Sequence, residues 1–277
     1  QAAALSPTQI SALTTLQISK LTTDATTGTI SVLSSSQIQA LGSAQVAAMS
    51  FTQLNSLSSA QVQSISSAGI ASISGSNIAQ LSTAAISNLS TSQIQALTSS
   101  QFANMTTANI VALTSTQYPA LTTKQVMGLD APRVLALFGG PSAVSSKVSL
   151  ITPSALTKLT TQNTASLSSD QIGALTTAQI PSLSPSVIGG LTTTAQLLGL
   201  SSTQIPALTQ AQAKALTGNQ LAALNTLQTQ ALSTYAIAAL SSTAVPSLKA
   251  ALLTSTQVKS LKPDLVKSFS YSQSTNQ

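Results

Sequence analysis

The stretch LSTSQIQAL, residues 89–97, contains the whole architecture in miniature. Its unit is a Leu, two Ser/Thr, a variable residue, Gln, Ile or Val, another variable residue and a frequent Ala, after which the next Leu begins the unit again. The Leu position can be followed in steps of eight through Leu33, Leu41, Met49, Leu57, Ile65, Ile73, Leu81, Leu89, Leu97, Met105, Leu113, Leu121 and Leu129. It continues through Leu159, Leu167, Leu175, Leu183 and Leu191, and after one extra residue through Leu200, Leu208, Leu216, Leu224, Leu232 and Leu240. A fixed period of this kind decides the architecture, because one unit cannot bury its apolar face alone and stacked neighbours can.

The spacing inside the unit selects helix over strand. Position 6 and the next Leu are three residues apart, which places them on opposite faces of a strand but on neighbouring positions of a helix. One continuous helix does not fit either: eight residues turn about 800°, so the Leu stripe drifts by about 80° per unit. Short helices separated by turns remain.

Both ends of each helix are written in the unit. Ser or Thr at position 2 with Gln at position 5 is a capping box, in which each side chain bonds the other residue's backbone N–H. Ser6 with Gln9, Thr14 with Gln17, Ser34 with Gln37, Ser90 with Gln93, Thr122 with Gln125 and Ser201 with Gln204 all have this spacing. Position 1 then precedes the cap and position 6 is the fourth helical residue, the two partners of a hydrophobic staple. Pro7, Pro153, Pro185 and Pro263 fall at position 3, the first helical residue, where proline is favoured. Pro119, Pro181, Pro206 and Pro246 fall at position 7, where proline removes a helical hydrogen bond, so those units are expected to contain a distorted turn. The predicted fold is an all-α solenoid of very short capped helices, one per octad.

Irregularities divide the chain. Leu21 to Asp24 adds four residues, Leu137 to Ser142 (LFGGPS) adds six with Gly139, Gly140 and Pro141 marking a turn, and Leu248 to Leu252 adds five. The expected organisation is an N-terminal segment with the first repeats (1–24), repeat block one (25–136), an insertion loop (137–142), repeat block two (143–247), and C-terminal Lys-bearing repeats with a polar tail (248–277).

Composition narrows the function. Only 5% of residues are charged, against roughly 25% in an ordinary domain. Ser and Thr number 86 of the 277 residues, and there is no Glu, His, Cys or Trp. Without Cys there are no disulfides, thiolate metal sites or cysteine nucleophiles. Without His no Ser-His-Asp triad can form. The four acids, Asp24, Asp130, Asp170 and Asp264, are isolated in sequence, which argues against paired-carboxylate catalysis and oxygen-ligand metal sites. The expected catalytic, cofactor and metal sites are therefore none. The Gln column reads as capping, with a ladder of amides lining a binding face as the functional alternative. Position 3 reads as ordinary helix-start chemistry, with an exposed Ser/Thr array for ice, glycan or O-glycosylation as its alternative.

No apolar run approaches the roughly 18 residues that suggest a membrane span. The chain begins at Gln1, which reads as a mature terminus after signal removal. From Ala25 to Thr123 there is no charged residue, while Lys249, Lys259, Lys262 and Lys267 gather near the C-terminus. Such a neutral surface lacks the repulsion that keeps proteins apart and favours self-association or carbohydrate-like contacts.

Two resemblances bear on function. LSPTQISAL (residues 5–13) resembles the opening of the first helix in TAL-effector repeats, which read DNA, but the likeness ends after nine residues. The period differs, and phosphate tracking requires regular cations that residues 25–123 lack; no nucleic-acid partner is expected. Over nearly the whole chain, the Leu-Thr-Thr-Ala-Gln-Ile-like octads resemble the repeat tracts of large secreted bacterial surface proteins and adhesins. That resemblance implies an extracellular or cell-surface location. The expected function is an exported structural protein that is not an enzyme and self-assembles head to tail into a filament, sheath or surface layer. The alternative is a monomeric adhesin stalk or a glycan- or ice-binding module.

Overall fold

A computed structural model of the chain describes residues 2–23, 29–138, 148–165, 167–191 and 193–267. Among these residues the regular structure is helical, in α-helices of four to seven residues interspersed with three-residue 3₁₀ turns. The chain divides into two compact units, residues 1–137 and 138–277. Residues 139–142 of the LFGGPS insertion lie outside the described residues.

The octad 89–96 shows how the unit folds. Ser90 is extended (φ −68°, ψ 163°), and the helix Thr91–Ala96 follows it. The Ser90 hydroxyl accepts from the Gln93 N–H at 3.2 Å, and Gln93 Oε1 accepts from the Ser90 N–H at 2.8 Å. Two of the donors that a helix start leaves orphaned are thereby satisfied. At Leu97 the chain leaves the helical region (φ −57°, ψ 127°), and the Leu97 N–H closes the last turn on Ile94 O at 3.3 Å. Leu97 and the next cap, Thr98, are both extended in ψ, so each helix begins in a new direction. Leu89, Ile94 and Leu97 are buried. Positions 1 and 6 supply most of the core.

Pro7, Pro153 and Pro185 each open a helix as its first residue. The position-7 prolines sit in 3₁₀ turns at Tyr118–Ala120, Ile180–Ser182, Ile205–Ala207 and Val245–Ser247. The distortion is local, and its cause is the missing N–H. In the octad containing Pro206, Ile205 N still bonds Ser201 O at 3.1 Å, Ala207 N bonds Gln204 O at 3.0 Å, and Leu208 N bonds Ile205 O at 3.2 Å. Tightening also redirects the Gln204 N–H to the Ser201 carbonyl at 3.0 Å, so only the amide half of that capping box is made.

Helices three elements apart lie side by side: Ser43–Ala47 packs on Ser67–Ser72, which packs on Thr91–Ala96. The octads therefore coil, and each coil rests on the previous one. In the second unit the coils approach closely enough to require glycine. A Cβ on Gly199 would lie 2.2 Å from Ser169 O, and one on Gly173 would lie 2.7 Å from Gly199 O.

Candidate functional site

The polar side chain repeated most consistently at a buried position is the position-5 Gln, and it does more than cap. Its Oε1 accepts the cap N–H, while its Nε2 reaches down to the coil beneath. Gln93 Nε2 donates to Val62 O at 2.7 Å and to Ile65 O at 2.8 Å. Gln101, Gln117 and Gln125 repeat both bonds on the next junctions. In the second unit Gln179, Gln212 and Gln220 do the same. The carbonyls belong mostly to position 6 of one octad and position 1 of the next, with position 7 taking part at Gln117 and replacing position 6 at Gln204, in the last turn, where helix geometry leaves carbonyls short of partners. Gln93 is 2% exposed, and the amides at these junctions face inward.

The span of these bonds gives the length of a coil. Gln93 and Ile65 are 28 residues apart, three and a half octads. The four residues added at Leu21 to Asp24 are absorbed by lengthening a coil: Gln45 and Gln53 reach Leu13 and Leu21 across 32 residues. At the neck of that insertion Thr22 N donates to Thr29 Oγ1 at 2.8 Å, and Thr29 N donates to Thr22 Oγ1 at 3.2 Å. The single extra residue near Leu191 lengthens the span to 29, as between Gln220 and Leu191. At Leu248 to Leu252 the outcome differs from a simple addition. Gln257 reaches Leu232 across only 25 residues, so the five residues replace a full octad with a 3₁₀ turn, Ala250–Leu252. Register is thus conserved in the ladder, with coil length adjusting around it.

Other side chains stand in for the amide. In the octad from Leu129, Asp130 and Arg133 form an ionic version of the box. Arg133 N donates to Asp130 Oδ1 at 3.1 Å, the guanidinium pairs with Asp130 Oδ2 at 2.5 Å, and Arg133 Nε donates to Met105 O at 2.8 Å. Lys249 Nζ donates to Leu224 O at 3.1 Å. Tyr118, fully buried, donates its hydroxyl to Leu137 O at 3.0 Å, and burial pushes its pKa up from 10.0 to about 12.

Three consecutive octads, from Ile65 to Asn88, lack Gln at position 5. Asn77 is one methylene shorter and keeps only the bond to the position-1 carbonyl, Met49 O, at 2.9 Å. Asn109, further along, likewise keeps only Leu81 O, at 2.8 Å. At Ala85 the cap N–H of Ser82 is accepted by Asn55 Oδ1 at 2.8 Å, from the coil beneath, while Asn55 Nδ2 donates to Gln80 O at 3.0 Å. A cavity of about 20 Å³ lies among Leu54, Ile70, Leu81 and Ala85. The space at Gly69 is tight, since a Cβ there would meet Ile65 at 3.0 Å and Val46 at 3.1 Å.

The acids among the described residues are not brought together. Asp130 is paired with Arg133, Asp170 is exposed in the first turn of the helix Ser169–Gly173, Asp264 is exposed, and Asp24 lies outside the described residues. No group of three or more His, Cys, Asp or Glu side chains that could hold a metal occurs among the described residues. An open groove of about 520 Å³ in the second unit is lined by Gln210, Lys214, Leu240, Lys262 and Asp264. At the surface, hydroxyls pair between positions 2 and 4: Ser34 with Ser36 at 2.9 Å, Ser50 with Thr52 at 2.7 Å, and Ser201 with Thr203 at 2.7 Å.

The cross-coil bond was detectable in principle. A capping box needs only an acceptor at position 5, and Glu serves there as well as Gln. A chain with a repeated box and no Glu is using the amide nitrogen too. Asn55, by contrast, gives no sequence signal, because its role exists only across coils.

These features fit a repeat tract. The ALTTAQ repeat family matches residues 70–107 and 153–185. The letters of its description occur in order at Ala174 to Gln179, positions 8 and 1 to 5 of this unit. Comparison with curated proteins and with solved structures finds no match. No helix among the described residues is long and apolar enough to cross a membrane.

Proposed function

We propose that the chain is an exported structural subunit that assembles head to tail into an extracellular filament, sheath or surface layer. The observation that carries this reading is the polarity of the ladder. Within each unit the position-5 Gln amides donate to the coil before them, as Gln93 does to Val62 and Ile65 and Gln212 to Ile180 and Leu183. A stack polarised in this way presents unlike faces, and unlike faces associate heterologously, which gives open assemblies when the contact does not close into a ring. Polar groups that could do chemistry in another protein here hold coil to coil. The lack of charge from Ala25 to Thr123 removes long-range repulsion between subunits. Export and a surface location rest on the absence of Cys and on the resemblance to secreted surface-protein repeats.

Native-condition sedimentation with negative-stain imaging tests the proposal. Concentration-dependent elongated particles are expected; a strict monomer at all concentrations sinks it. A second reading, a monomeric adhesin stalk or glycan- or ice-binding module, draws on the surface hydroxyl pairs such as Ser34–Ser36 and Ser201–Thr203. Glycan binding or thermal hysteresis by isolated monomer would favour it.

A further inference from the structure

We infer that the junction beneath the octads from Ile65 to Asn88 is a yield point built into the first unit, where the stack parts under load or heat while the coils on either side stay together. The inference concerns the single chain and does not rest on the head-to-tail reading.

The position-1 carbonyls show the difference most directly. Those of Leu33, Ile65, Ile73, Leu89 and Leu97 each accept a Gln amide from the coil above at 2.7 or 2.8 Å. By the same spacing of 28 residues, Leu41 O and Leu57 O fall to Gly69 and Ala85, which have no amide to give. Neither carbonyl accepts a hydrogen bond among the described residues, although Leu41 is 3% exposed and Leu57 7%. A carbonyl buried without a donor loses its hydration and gains nothing in exchange. Between them, Met49 O keeps one bond from Asn77 at 2.9 Å, and Val46 O receives no side-chain amide among the described residues.

Packing is thinner at the same place. The cavity of about 20 Å³ lies between Leu54 and Val62 of the lower coil and Leu81 and Ala85 of the upper one. Atoms around a void forgo contacts, which weakens the attachment. Besides Asn77, the side-chain bonds that cross the junction lie at exposed sites, where water competes: Ser72 Oγ to Ser43 O at 2.8 Å, and Asn55 with Ser82 N and Gln80 O. The adjoining junctions are complete. Gln45 holds Ile10 O and Leu13 O below, while Gln93 and Gln101 hold four carbonyls above. A helix of five or six residues does not persist alone, so parting at one junction frees the octads that border it. Because each coil contacts only its neighbours, that opening stays local.

Native-state hydrogen exchange on the 277-residue chain at low denaturant tests the yield point. The N–H groups of Ile70, Ile78 and Ile86 bond their cap carbonyls just as those of Ile94 and Phe102 do. The first set is nevertheless expected to exchange at least roughly tenfold faster than the second. Asn77→Gln adds the methylene needed to reach Val46 O as well, and is expected to slow the first set about tenfold while changing the second far less. Asn77→Ala removes the remaining amide rung and is expected to speed the first set by about the same factor. Equal exchange of the two sets in the parent chain overturns the yield point. So does a response to the Asn77 variants shared equally by both sets, since the unit then opens as a whole. Measured at concentrations where the chain is monomeric, either failure leaves the assembly reading standing.

Discussion

The octads from Leu89 to Asn104 and those from Ile65 to Asn88 share a period, a fold and a buried apolar core, but they hold to the coil beneath by different means. In the first group Gln93 and Gln101 each satisfy one cap N–H and two buried carbonyls with a single amide. In the second group that work is reduced at Asn77, shared with Asn55 around Ala85, and absent from the Gly69 side chain. The difference teaches that the amide is not required for the octad to fold, since Ser66, Ser74 and Ser82 still cap their helices. Its contribution is to bind coils together, where a buried carbonyl left without a donor is costly.

Four experiments could break or sharpen that comparison. The largest effect is expected for Gln93→Ala, which strips donors from Val62 O and Ile65 O and leaves the Ser90 N–H without its acceptor; a loss on the order of 3 kcal/mol should appear in denaturant unfolding. Ala85→Ser, at an octad already without the amide, serves as the control and should change stability far less. A near-equal loss at the two sites would break the comparison.

Next is Tyr118, whose hydroxyl donates forward to Leu137 O. Its folded-state pKa is about 12, against 10.0 for an ordinary tyrosine. Below pH 10 both states keep the proton and the stabilisation is complete. Above it the unfolded state ionises first, so stability should fall between pH 10 and about 12 by about 1.4 kcal/mol per pH unit, or roughly 2–3 kcal/mol in all. Tyr118→Phe should flatten that part of the alkaline unfolding curve.

Asn55→Ala should cost about 1 kcal/mol, because the bonds to Ser82 N and Gln80 O are lost at a half-buried position. Thermal melts that show no change would mean the Ala85 octad is held by apolar packing alone. The smallest effect is a gain. Thr229 occupies position 6, fully buried, with an Oγ1 that has no partner, while its carbonyl still accepts from Gln257 at 2.9 Å. Thr229→Val should stabilise by roughly 0.5–1 kcal/mol, since it removes an unsatisfied hydroxyl and keeps the shape.

Much of the fold was legible because its signals are local. A Ser or Thr at position 2, Gln three residues later and proline at position 3 define a helix start within one turn of chain, and Ser90 with Gln93 or Pro185 behaves accordingly. The site was less legible. Reading Gln93 as a cap captures Oε1 and misses Nε2, because its acceptors lie 28 and 31 residues back. Reading Leu248 to Leu252 as added residues misses that they replace an octad, because only the shortened Gln257 span reveals it.

The sequence by itself determined the unit: an eight-residue period, a capped helix of about one and a half turns, and a core of positions 1 and 6. These follow from bonds between residues three or four apart, which any isolated octad already specifies. Only the tertiary structure decided how many octads complete a coil and which way the amides point. Those depend on the rotation accumulated through two extended residues at every junction. A few degrees at each step, summed over three and a half octads, select which carbonyl comes to lie beneath which amide.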